Sequence, residues 1–401
     1  MPTNRPMFQN ILQRSDLKRY NTFGLATVFW LLFLISLGVR YYLVPGRTFD
    51  YINFLKPWLN YLQVHGLHSF GTDFANYNTP YLLLLWVGSY LPLPNIAVVK
   101  GISFTFDIFL AYTVYLTVRH FRPGGNVKFA AALGTLYLPT AFINSGLWGQ
   151  CDGIYTAFLI LSFYFCLIGK LHWSWAVWGV AIAFKLQAIF MLPFLAFMLL
   201  HRRTALSGPL LAGIVFILLS IFPVLEGRSL ASVIGIYFEQ TKPPDGVELL
   251  SWNAPTFYEW MPDGYFKAIR KAGIMFAAGV SICIAGLAFR IRRFTDYELL
   301  LLFTLTLFIV PFFLPQIHER YFYPAEIASL ILAFVQPRLS YLAIAMQVVT
   351  LMSFRIYFTG GSQQPFISLP ILAIAVLTII CTLAWMLHRS LTLESGETAD
   401  A

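Results

Sequence analysis

Leu299-LLLFTLTLFIVPFFLPQIHERYFYPAEIASLILAF-Val335 sets two apolar runs on either side of His318-Glu319-Arg320-Tyr321, where three consecutive side chains ionise. The runs read as helices that cross a membrane, which makes the chain an all-α membrane protein. Ionisable groups at a bilayer boundary are costly unless a polar partner or a wet cavity receives them. The stretch between the runs therefore marks a functional site.

The rest of the chain follows the same pattern. Of 401 residues, 58% are hydrophobic and 11% charged, and apolar runs recur from residue 22 to residue 388. In lipid every backbone polar group must be satisfied internally, so these runs are expected to be helices. The net charge of +9 comes mostly from short Lys/Arg clusters between apolar runs, which read as topology signals and exclude a nucleic-acid-binding stripe. Cys151, Cys166, Cys283 and Cys381 have no metal-ligand spacing, and no disulfide framework is expected. The first apolar run follows a polar segment and is long enough to span, so it reads as a signal anchor.

Arg5, Arg14, Lys18 and Arg19 place the N-terminal segment 1–21 in the cytoplasm, and a single transmembrane domain occupies 22–388. The first span, 22–44, delivers residue 45 to the outside, and an external loop runs over 45–95. Within it Tyr81 to Leu91 is apolar but too short to cross, and prolines bound it, so it reads as a half-helix or interfacial helix. Further spans are expected at 96–118, 127–144, 153–169, 207–225, 272–290, 297–314, 322–336, 340–357 and 367–388. Trp173 to Leu200 is long for one span and short for two. Counted as one crossing it would put His201-Arg-Arg203 and Arg290-Ile-Arg-Arg293 outside, so it reads as two short helices meeting near Lys185. About twelve crossings result, with a cytoplasmic tail at 389–401. A second external loop spans 227–268, and its Lys242-Pro-Pro-Asp-Gly246 reads as a mobile turn.

In this topology Asp50, Asn76, Asn78, Asn144, Gln150, Asp152, Lys185, Gln187, Trp252, Asn253, His318, Glu319 and Arg320 all fall on the outer face, which points to one external site. Asp50, just past a membrane exit, suits a general base; it equally suits an N-cap for the segment that follows. Asn76-Tyr77-Asn78-Thr79-Pro80 offers amides and an aromatic for sugar hydroxyls, or ordinary turn chemistry. Asn144-Ser-Gly-Leu-Trp148-Gly-Gln150-Cys-Asp152 packs amides, an acid and a tryptophan into a tight turn, with Asp152 as helix cap the plainer reading. Lys185 inside an apolar run calls for a partner or a cavity, or snorkels to the interface. His318 and Arg320 suit an anionic phosphate with Glu319 orienting one of them; a rim ion pair between Glu319 and Arg320 is the alternative. A base, sugar-compatible side chains and a cationic grip opening onto lipid fit a sugar on polyprenyl phosphate. Such a donor needs neither a glycine-rich phosphate loop nor a DxD motif.

Across residues 25–335 these features resemble the type C (GT-C) glycosyltransferase superfamily, multispanning enzymes that use polyprenyl-phosphate sugars. Asp50 matches the catalytic acid of the first loop, and Asn76 to Tyr81 is similar to the family's "YPP" element. Leu314-Pro-Gln-Ile-His318-Glu-Arg-Tyr321 resembles the His-Glu-Lys motif of the endoplasmic-reticulum glucosyltransferases, with Arg320 where those have lysine. The "NxGLWGQxD" and "HERYFYPA" forms are nearest in character to bacterial mannosyltransferases related to the GPI second-mannose enzyme. The resemblance implies an inverting transfer of a hexose, mannose before glucose, to a lipid-linked or glycan acceptor. Asp50 would act as base, His318, Arg320 and Lys185 would hold the donor phosphate, and Glu319 would orient. Asn76, Tyr77, Asn78, Gln150, Asp152, Gln187, Trp252 and Asn253 would hold sugar or acceptor. No cofactor is implied; the single first-loop acid, where several branches carry two, gives no indication of a metal. The implied place is a bacterial inner membrane with the site facing the periplasm, or the endoplasmic-reticulum membrane of a eukaryote. A glycolipid transporter or flippase is the competing reading, for which Asp107 within a span would be the important acid, and an assembly factor without a site is a third.

Overall fold

The computed structural model describes residues 7–201, 206–242, 247–291, 293–363 and 365–397, with no side-chain description for 7–23, 263 and 393–397. Arg5, Arg14, Lys18, Arg19, Arg202, Arg203 and Arg292 of the topology argument, and the turn at 243–246, thus lie outside the described residues or side chains. The fold is 79% helical, with two strands of two residues each among the described residues. It is an integral membrane protein built of apolar helices.

Among the described residues six helices are long and apolar enough to cross a membrane: Gly24–Leu43, Asn95–Phe121, Phe266–Arg290, Asp296–Phe313, Pro337–Phe358 and Leu369–Thr392. The expected count of about twelve crossings is not met on this measure, because the other apolar helices have only 10–17 residues. The causes are local. The expected span at 127–144 stops as the Val127–Tyr137 helix, since Leu138 takes an extended ψ of 127° before Pro139. Its 11 residues reach about 16 Å, roughly half of a hydrocarbon core. The expected span at 207–225 is likewise divided into Ser207–Ser220 and Phe222–Leu225 around Pro223. The run 173–200 breaks where the sequence pointed: Leu171–Phe184 ends at Lys185, whose backbone is extended (φ −155°, ψ 135°), and the 3-10 turn Leu186–Met191 leads into Leu192–Leu200.

The short apolar segment of the first loop forms the Thr79–Gly88 helix, with Pro80 in its first turn where no backbone donor is missed. The 227–268 segment is not a bare loop. It contains the Leu230–Gln240 helix, begun by a Ser229 cap, and the strand Ser251–Trp252.

The Asp296–Phe313 helix lies at the centre, 78% of its apolar window being covered by protein against 11% for Gly24–Leu43. A capping box starts it, with Glu298 N donating to Thr295 Oγ1 at 3.2 Å and Thr295 N donating to Glu298 Oε2 at 2.8 Å. Pro311 lies in its last turn, and beyond its end Leu314 is extended before Pro315, which leads the chain out into the His318–Tyr321 loop. That loop is pinned by a parallel pairing of Ile317–His318 with Ser251–Trp252, flanked by Gln316 N donating to Leu250 O (2.7 Å) and Glu319 N donating to Trp252 O (3.1 Å). Two loops far apart in sequence are thereby held in register.

A second polar tie lies inside the bundle. Arg40 donates from Nε to Asp107 Oδ2 at 2.9 Å and from Nη1 to Ser36 Oγ and the Leu136 carbonyl, and Ser145 Oγ donates to Asp107 at 2.6 Å. Both charged residues are buried, so the pair joins the first helix to the Asn95–Phe121 helix with its charge compensated in place. Nearby, Lys100 Nζ donates to the carbonyls of Leu43, Val44 and Gly46 at 2.9, 3.0 and 2.7 Å. It closes the C-terminal end of the first helix and holds the turn that leads to Asp50.

Candidate active site

Five segments meet at the polar centre: the turn before Tyr51, the widened turn Phe142–Asp152, the break at Lys185, the strand Ser251–Trp252 and the His318–Tyr321 loop. The Phe142–Trp148 segment is a π-helix, a form common at functional sites, and it ends at Gly149 in the left-handed region (φ 75°). That conformation lets Gln150 N return to the Asn144 carbonyl at 2.9 Å. Trp148 and Gln150 consequently point the same way.

Both donate to one carboxylate oxygen: Trp148 Nε1 to Asp50 Oδ2 at 2.9 Å and Gln150 Nε2 to the same atom at 2.5 Å. Asp50 caps nothing, its backbone being already helical with no side-chain cap bond, so the plainer reading of this acid is not what the structure adopts. Its carboxylate keeps 18% exposure. Trp148 is itself fixed, stacked on Tyr357 at 4.0 Å and flanked edge-on by Phe354 and Phe358.

Asp152, fully buried, also makes no cap bond; one oxygen contacts Lys185 Nζ and the other accepts from Asn144 Nδ2 at 2.8 Å. Lys185 neither snorkels nor stands free. Its ammonium lies against Asp152 and within 5.6 and 5.5 Å of the Tyr155 and Tyr321 rings, a cation seated between aromatic faces.

Arg320 occupies the middle of the site. Its guanidinium lies 3.5 Å from Asp152, 3.8 Å from Asp50 and 3.8 Å from Glu319, over the rings of Trp148 and Tyr321. These are ion-pair separations. Among the described residues the Arg320 side chain makes no hydrogen bond, and its Nε is buried with only the ion-pair contact to Asp152. The fork of donors is thus held by ion pairs alone, with hydrogen-bonding capacity left over.

The electrostatics follow from this crowding. Burial works against the Arg320 cation, but Asp152, then Tyr321 and Asp50, outweigh it and hold its pKa well above the ordinary value. Desolvation, then the charges of Arg320 and Lys185, hold His318 well below the usual imidazole range. His318 is therefore a neutral donor or acceptor near pH 7, not the further cation that phosphate binding by charge alone would use. Its ring stacks on Trp252 (5.4 Å, 8°) and keeps 34% exposure. Burial raises Glu319 to about 7, against the pull of Arg320, so its charge changes near neutrality.

The structure brings together Asp50, Gln150, Asp152, Lys185, His318, Glu319, Arg320 and Trp252. Tyr77 approaches the same centre through Cys151, whose Sγ lies 3.7 Å from its hydroxyl. Burial keeps that hydroxyl protonated. Asn253 bridges the His318 backbone with φ 56°. Others are engaged elsewhere. The Asn78 amide donates to Ala183 O (2.9 Å), Ser220 Oγ (2.8 Å) and Tyr237 Oη (3.3 Å), tying the first loop to three helices. Asn76 is exposed and its carbonyl accepts from Gln240 at 2.5 Å. Gln187 lies in the turn after Lys185, its Oε1 buried without a hydrogen bond. Trp148, Asn144 and Tyr321 stand in the stretches quoted from the sequence, but their particular contacts are not legible there. Tyr155 and Tyr357 carry no sequence signal, since aromatics in apolar runs are ordinary.

No protein-family model matches the chain, and no curated protein matches its sequence.

Proposed function

We propose that the chain is an integral-membrane glycosyltransferase of GT-C type. It moves a hexose, mannose in the first place, from a polyprenyl-phosphate sugar to a lipid-linked or glycan acceptor, with inversion, at the external or periplasmic face. One observation carries this reading: the Arg320 guanidinium stands between Asp50 and Asp152 with its donors unengaged by hydrogen bonds. It can meet a phosphate while the candidate base is within 4 Å.

In the proposed step Asp50 takes the proton of the acceptor hydroxyl, whose oxygen forms a bond to the anomeric carbon as the bond from that carbon to the phosphate oxygen breaks. Trp148 and Gln150 keep one Asp50 oxygen engaged, which fixes the direction of the other. Negative charge gathers on the departing phosphate, and Arg320 stabilises it through charge-assisted hydrogen bonds that the resting site does not contain. Neutral His318 adds a hydrogen bond without adding charge. Lys185 acts at one remove, neutralising Asp152 so that this acid does not hold Arg320 back. The transporter reading finds less support, since Asp107 is locked by Arg40 and Ser145.

The test is incubation of the purified protein with polyprenyl-phosphate-mannose or polyprenyl-phosphate-glucose and a lipid extract, with Asp50→Ala alongside. Release of polyprenyl phosphate by the wild type and its loss in the variant are expected. Release from neither donor refutes the enzyme reading, and full activity of Asp50→Ala refutes the base. Cysteine accessibility at position 320 checks the orientation: labelling from the cytoplasmic side only overturns it.

A further inference from the structure

The Phe266–Arg290 helix carries cations at both ends: Lys267, Arg270 and Lys271 at its start, Arg290 at its finish and Arg293 just beyond. Charge asymmetry that orients a span accounts for basic residues at one end only, whichever way the helix points. The start lies beside the candidate site, because Arg270 donates from Nε to Gln316 Oε1 at 2.5 Å and from Nη2 to the Thr241 carbonyl at 2.6 Å. Arg270 is thus occupied. Lys267 and Lys271 are exposed, and no carboxylate pairs with them among the described residues.

One open face at this end of the helix presents Phe266, Lys267, Arg270, Lys271, Ile274 and Met275. Spacings of four residues stack Lys267 on Lys271 and Lys271 on Met275, so one helix face passes from ammonium to alkyl within one turn, about 6 Å. Ile274 is 43% and Met275 67% exposed. A soluble anion would use only the upper half of such a face. A molecule with an anionic head and an apolar tail uses all of it.

We propose that this helix face binds an anionic bilayer phospholipid, with Lys267 and Lys271 on the headgroup phosphate and an acyl chain along Ile274 and Met275. The site is separate from the Arg320 centre and does not depend on the glycosyltransferase reading.

Native mass spectrometry of the purified full chain, titrated with phosphatidylglycerol or phosphatidylcholine, tests it. At about 1 kcal/mol per cation near a lipid surface, Lys267→Gln/Lys271→Gln is expected to weaken phosphatidylglycerol binding about 30-fold and leave phosphatidylcholine unchanged. Arg290→Gln/Arg293→Gln, with the same change of charge at the other end, is expected to keep the tight phosphatidylglycerol site. The proposal is overturned if the two double variants lose affinity alike, if the lysine variant loses none, or if phosphatidylcholine binds the wild type as tightly. Displacement of the lipid by millimolar inorganic phosphate overturns the lipid assignment. Should the lysine variant not fold, wild-type protein and phosphatidylglycerol carrying a photoreactive acyl chain decide the matter. Crosslinks concentrated in residues 266–276 support the proposed site, and crosslinks spread evenly over the apolar helices refute it.

Discussion

Lys185→Met separates the ion cluster into its parts. The substitution keeps most of the side-chain volume and removes the ammonium that contacts Asp152, leaving a carboxylate with 0% exposure, one amide donor and Arg320 Nε at 3.5 Å. Removing one member of a buried pair costs about 3–5 kcal/mol. The remaining Arg320 attraction, about 5 kcal/mol at an effective dielectric constant of 20 before desolvation, holds the loss near the lower end, about 3 kcal/mol. Asp152→Asn strands Lys185 instead, now between two tyrosine rings and facing the Arg320 cation, and is expected to cost a similar amount. The double variant leaves no uncompensated charge, and a neutral pair in that space is expected within about 1 kcal/mol of wild type. The assay is a double-mutant cycle on unfolding free energies in detergent, read from SDS titration of the purified protein. A coupling of at least about 2 kcal/mol is expected; additivity within about 0.5 kcal/mol would show that the two residues do not form the pair, and would refute the reasoning.

Three further outcomes are expected. Arg320→Gln should lower polyprenyl-phosphate release about 100-fold or more, with Arg320→Lys recovering only part because it supplies charge without the fork; equal activity of Lys and Arg would remove the fork from the argument. Burial raises Glu319 from 4.5 to about 7, so the folded chain holds its proton more tightly than the unfolded chain. Its stabilisation is complete below the unfolded value and is lost as pH rises through about 7, a change on the order of 3 kcal/mol that Glu319→Gln should flatten. Parallel pH profiles for the two proteins would contradict this. Lys100→Met leaves the Leu43, Val44 and Gly46 carbonyls without their donor, at a cost of about 1–3 kcal/mol, and hydrogen exchange should accelerate first in residues 44–55. Exchange that accelerates uniformly would mean that Lys100 supports the bundle in general and not the Asp50 turn.

The helices and the residue types of the site were legible because both depend on local chemistry. Apolar runs of spanning length force helix, and a lysine inside one of them marks its break, which is where the chain turns at Lys185. Helix lengths were less legible: hydropathy does not register that Leu138 must leave helical geometry before Pro139, so a run that reads as a span ends after 11 residues. Asn78 and Asn76 look like sugar ligands in sequence, and only their contacts with Ala183, Ser220, Tyr237 and Gln240 show what engages this segment.

The His318–Tyr321 stretch divides the two kinds of information. By itself the sequence determined that these residues lie between apolar helices and must find polar company, because charge beside lipid is costly whatever the fold. Which company they find was decided by the tertiary structure. Pairing of Ile317–His318 with Ser251–Trp252 sets the loop's direction, and the π-turn at Phe142–Trp148 presents Trp148 toward Asp50. Packing of helices far apart in the chain then places Arg320 among three carboxylates without a hydrogen bond to any of them. Those separations depend on the whole bundle closing, and no local pattern encodes them.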